Sequence, residues 1–65
     1  KILYEMPRRI DGRTGAIFMV EGGGRKGRVL ALLDQDTCFV LRMEIKDEER
    51  DVEAFERMAK TITFE

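Results

Sequence analysis

The chain has 65 residues, 43% of them hydrophobic and 38% charged, with a net charge of −1. That length admits one domain with a thin core, burying roughly 60% of the surface its unfolded form exposes, and the composition is globular rather than disordered. His, Ser, Asn and Trp are all absent and Cys38 is the only cysteine, which excludes intrachain disulfides, Ser–His and Cys–His nucleophile pairs, histidine-ligated metals and an N-glycosylation acceptor.

Alternation from Lys1 to Met6 predicts a first strand with Ile2, Tyr4 and Met6 on one side, ended by Pro7, which removes a ladder donor. Residues 8–13 read as a polar connection whose turn signal is Asp11-Gly12. A second strand, about Thr14 to Glu21, sets Ala16, Phe18 and Val20 against Ile17 and Met19. Both of its faces are apolar, so it is expected to be central or covered on both sides.

The glycine-rich stretch 22–27 reads as a mobile loop, followed by a third strand, Arg28 to Leu33, again apolar on both faces. Asp34-Gln35-Asp36 predicts a short hairpin connection to a fourth strand, Thr37 to Ile45. In that strand Phe39, Leu41, Met43 and Ile45 form an apolar row, while the row from Cys38 and Val40 ends at Arg42 and Glu44.

The period then changes. Asp47 is an N-cap candidate, Glu48 and Glu49 suit the positive end of a helix dipole, and Val52, Phe55, Met58, Ala59 and Ile62 recur at helical spacing. An amphipathic helix over 48–60 is expected to lay Val52, Phe55 and Met58 on the sheet. Residues 61–65 alternate Thr with Ile and Phe, and predict a short last strand. The fold class is therefore α+β: an antiparallel sheet of about four strands with one C-terminal amphipathic helix on a face, in the order β-β-β-β-α with a terminal β.

Each chemical motif has a plainer reading. Gly22 and Gly27 have phosphate-loop spacing, but Arg28-Val29 replaces Lys-Ser/Thr and a strand follows instead of a helix. Asp34 and Asp36 are turn formers before they are metal ligands. Glu44-Ile45-Lys46 has the E-x-K spacing of metal-dependent nucleases. Asp36 nevertheless lies eight residues up the same strand, about 25 Å away. Cys38 has apolar neighbours and no histidine to activate it, so it is expected to be a buried hydrophobe. No catalytic centre, metal site or cofactor is expected, and the chain reads as a non-enzyme.

Charge is unevenly distributed. Residues 1–33 carry seven Lys/Arg against three Asp/Glu, and residues 34–65 carry five against ten. The halves are expected to attract each other, or to face partners of opposite sign. Arg8, Arg9, Arg13, Arg25, Lys26 and Arg28 could together contact nucleic acid through phosphates. No aromatic residue interleaves them to offer base stacking.

The hairpin of residues 28–45, the charged bend, the helix carrying Val52, Phe55 and Met58, and the ending Thr61-Ile62-Thr63-Phe64 resemble the C-terminal part of PsbP-like and Mog-family domains. That resemblance covers residues 28–65 and implies a non-enzymatic protein-binding scaffold, an extracytoplasmic setting and a missing N-terminal half; no functional residue carries over from it. A start at Lys1 rather than Met points the same way, to a processed C-terminal piece of a larger domain. No apolar run approaches the roughly 18 residues of a membrane span, and the composition reads as soluble.

The expected function is a non-catalytic protein-interaction module, completed by a partner chain, a second copy or a missing half. The alternative is a nucleic-acid-binding fragment using the basic segment 8–28. Two-faced apolar strands with a single helix to cover them make Ile17, Met19, Leu30 and Leu32, together with Arg25, Lys26 and Arg28, the candidate interaction surface.

Overall fold

The computed structural model describes residues 1–63. Four strands, β1 (Ile2–Ile10), β2 (Arg13–Gly22), β3 (Arg25–Asp34) and β4 (Thr37–Ile45), precede one helix, α1 (Glu48–Lys60). The strands form an antiparallel meander in the order β1-β2-β3-β4. Every hairpin closes on two residues. Asp11 and Gly12 both take positive φ (50° and 78°), as do Gly23 and Gly24 (59° and 75°), the backbone that two-residue hairpins demand. The glycine stretch is thus a tight turn rather than a mobile loop, and β3 starts three residues earlier than its apolar pattern suggests. The third turn places Gln35 at φ 58°.

The first strand does not stop at Pro7. It continues to Ile10 because it is an edge strand, where a missing N–H on the solvent side leaves the ladder intact. Near its start a bulge interrupts the register: Ile2 pairs with Val20 but Tyr4 pairs with Met19. Direct partners share a face, so Leu3 is the extra residue and Ile2 lies on the opposite face from Tyr4 and Met6, not beside them.

The helix begins where the sequence places it. Asp47 accepts a hydrogen bond from the Arg50 N–H at 3.2 Å, and Asp51 reaches back to accept from the Lys46 and Asp47 N–H groups at 2.8 and 2.9 Å. These contacts satisfy orphan donors at the helix start. The Thr61 N–H bonds the Met58 carbonyl and ends the helix. Thr61 to Thr63 carry no strand, and the rest of the expected terminal strand lies outside the described residues.

The helix covers one face only. Phe55 and Ala59 sink between Ile17, Leu30 and Leu32, with Ile10, Leu41, Met43 and Ile62 packed around them. Val52 is half-buried and Met58 is 41% exposed, so the inward stripe is narrower than expected and centres on Phe55 and Ala59. Gly15 faces this layer on β2. A Cβ there would collide with the Ala31 carbonyl oxygen, so only glycine permits the β2–β3 approach. The smallest dimension of the chain, 15 Å, accommodates one sheet and one helix layer and no third.

Candidate functional site: the open face of the sheet

Ladder register sorts every strand residue onto one of two faces. The helix side carries Tyr4, Met6 and Arg8 on β1, Ile17 and Met19 on β2, Arg28, Leu30 and Leu32 on β3, and Leu41 and Met43 on β4. Ile17, Met19, Leu30 and Leu32 are essentially without exposure. These four are therefore the core and not an interaction surface. Of two apolar rows, the helix took the one that offers Phe55 and Ala59 a cleft. Period-two alternation cannot say which row that will be.

Arg28 also leaves the expected surface. The residue is 3% exposed, with its guanidinium 5.5 Å from the centre of the Phe55 ring and 6.0 Å from that of Tyr4. It donates to the Tyr4 hydroxyl at 2.6 Å and lies 3.9 Å from the Glu56 carboxylate, while its Nε has no hydrogen-bond partner. Glu56 also receives Arg8, at 2.9 and 3.3 Å, and so ties the helix to both β1 and β3. Arg25 and Lys26 do lie at the surface, where they pair loosely with Glu44 (3.8 Å) and Glu48 (3.9 Å). Arg13 reaches Asp34 at 2.6 Å. Each of these contacts joins the basic first half to the acidic second half.

What remains uncovered is the opposite face. Phe18 and Val29 are cross-strand partners at its centre, flanked by Ala16 and Ala31, with Val20 nearer the glycine turn. These residues are half-buried by their neighbours in the sheet alone. Towards the margins Ile2 is 61% exposed, Leu33 62% and Val40 54%. Cys38 lies on this face beside Leu33 and is exposed, contrary to its expected burial, because no element packs on its row.

Charged groups rim this apolar area: Glu5 and Arg9 on β1, Arg42 and Glu44 on β4, and Arg25 next to the glycine turn. Glu5, Arg9 and Arg42 form no ion pair among the described residues. A depression at the glycine-turn end is lined by Lys1, Glu21, Arg25, Lys26, Arg42 and Glu44. Its alternating signs converge on no single ligand charge. Among the described residues no group of three or more metal-ligating side chains assembles, and no helix is long and apolar enough to cross a membrane.

The uncovered row is the second apolar set of β2 and β3, Ala16-x-Phe18-x-Val20 and Val29-x-Ala31-x-Leu33, and its period-two pattern is present in the sequence. No family model, no curated protein and no solved structure matches this chain.

Proposed function

We propose that this chain is a non-catalytic protein-interaction module whose docking surface is the uncovered face centred on Phe18 and Val29. One observation carries the reading: a four-stranded sheet has an apolar row on each side, and its single helix shelters only one of them. Contiguous exposed apolar area rimmed by charge is the usual character of a protein-binding face. Leu33, Val40 and Ile2 stay exposed in a chain too small to spare apolar burial. The resemblance of residues 28–65 to PsbP-like and Mog-family scaffolds supports the same class of function.

Nucleic-acid binding is the weaker reading, because Arg8, Arg13, Arg25 and Lys26 each meet a carboxylate and Arg28 is buried. Phosphate contacts need cations that are free to exchange their counterions.

The test is Phe18→Lys. The substitution puts a charge at the centre of the open face and touches none of the Phe55 core. Circular dichroism and cooperative unfolding are expected to be unchanged, while binding of an environment-sensitive apolar dye and association by light scattering are lost. If Phe18→Lys unfolds the chain, or leaves both dye binding and association intact, this face is not a docking surface.

A further inference from the structure

We infer that the occupant of the open face is a second copy of this chain, packed face to face about a two-fold axis parallel to the strands; this rests on the docking reading above. Charge placement on the open face selects this arrangement. Antiparallel register lays the open face out in transverse rows, one of which runs Glu5 on β1, Phe18 on β2, Val29 on β3 and Arg42 on β4. Opposite charges thus stand at the two ends of a single apolar row, and neither has an ion-pair partner among the described residues.

A two-fold axis between two such faces, running along the strands, exchanges the β1 and β4 sides and keeps every row over itself. It sets Glu5 of each copy over Arg42 of the other, giving two identical ion pairs from one chain, as an isologous interface requires. The same operation sets Phe18 over Val29 and Pro7 over Val40. It also brings Val20 over Gly27, whose missing side chain leaves room for it. A two-fold axis across the strands reverses the rows. Centred on the Phe18 row it places like charge on like charge; centred on the Pro7 row it sets Glu5 over Arg9 but leaves Arg42 over Cys38 and Phe18 over Thr14, so that Arg42→Glu would not weaken such a dimer.

The dimensions agree. Aligned sheets pack about 10 Å apart and cross at about 30°. Both charges sit about 7 Å from the axis, so that angle displaces them by about 4 Å, within reach of a glutamate and an arginine side chain. Four strands about 4.8 Å apart and four rows about 6.8 Å apart give roughly 500 Å² per copy. The total, about 1,000 Å², reaches the lower bound for a specific interface.

Sedimentation equilibrium of the whole chain from about 1 µM to about 1 mM tests this. The expected species has twice the 7.6 kDa chain mass. Glu5→Arg and Arg42→Glu are each expected to weaken self-association about tenfold, since each sets like charges together at both ends of the row. Mixed one to one, those two variants restore the complementary pairs, and the heterodimer is expected to form at the wild-type affinity. Val29→Lys abolishes the dimer with the fold retained, which an edge-to-edge pairing of β4 strands would not show.

A wild-type chain that stays monomeric throughout overturns the proposal, as does a dimer indifferent to both charge reversals. In the monomeric case, dye binding that Phe18→Lys removes leaves the docking reading standing with a different occupant. Loss of both results removes both readings.

Discussion

Arg28 shows how one residue links sheet, helix and edge strand. Its guanidinium is buried with a single short hydrogen bond, to Tyr4, and a carboxylate at 3.9 Å, and its Nε is orphaned. A buried cation with partial pairing costs desolvation that its contacts only partly offset. Two substitutions should therefore act with opposite sign. Tyr4→Phe removes the acceptor and leaves the charge behind, and urea unfolding should show a loss of about 1–3 kcal/mol. Arg28→Met removes charge and orphan together while keeping the stem volume, and is expected to be neutral or stabilising. Gly15 is the second decisive residue. Its replacement by alanine drives a methyl into the Ala31 carbonyl. Overpacking of that kind typically costs about 1–3 kcal/mol, to be read as a lowered midpoint in thermal unfolding.

At the level of elements, the start of α1 carries an acid-sensitive group. The N–H groups of Asp47 and Lys46 hold the Asp51 carboxyl below its ordinary range, with the nearby Arg50 and Lys46 charges adding to the effect. A carboxyl lowered by folding contributes stability that is fully present above its unfolded value of about 3.9 and is lost as pH falls through the folded value. Asp51→Asn should therefore lower stability at pH 7 and flatten the acid limb of the pH–stability curve. An unchanged acid limb would show that Asp51 is not the group responsible. The strands depend on a different device. Asp11-Gly12 and Gly23-Gly24 supply paired positive φ, so the meander is built from consecutive two-residue hairpins, and that short-range wiring puts β1 and β4 at the two edges.

For the whole molecule, two phenylalanines on opposite sides of one sheet carry opposite consequences. Phe55 is fully enclosed, and Phe55→Ala should cost about 3–5 kcal/mol. A core this small rarely supplies more than about 3–5 kcal/mol in total, so that variant is expected to show no cooperative transition by calorimetry. Phe18 is half-covered, and Phe18→Lys should leave the transition in place. Equal sensitivity at the two sites would mean that both faces contribute to the monomer's own closure. The ion pairs Arg8–Glu56, Arg13–Asp34, Arg25–Glu44 and Lys26–Glu48 all run from the basic half to the acidic half. The charge asymmetry of the sequence is thus largely absorbed within the fold. The exposed pairs Arg25–Glu44 and Lys26–Glu48 add little stability each.

Local signals were legible wherever the chemistry is local. Asp47 and the spacing of Phe55 and Ala59 mark the helix over 48–60, Asp11-Gly12 marks its turn, and Phe39 to Ile45 marks a strand with one apolar row; each is decided by neighbours within a few residues. The extension of β1 past Pro7 and the bulge at Leu3 were not legible, because both depend on how an edge strand meets its one partner. The burial of Arg28 and the exposure of Cys38 depend on where the helix lands. The sequence by itself determined an α+β chain with two apolar sheet rows and one amphipathic helix to cover them. Only the tertiary structure decided which row became core, because both rows have the same period and similar hydrophobicity, and the choice rests on the three-dimensional fit of Phe55 and Ala59 against Ile17, Leu30 and Leu32.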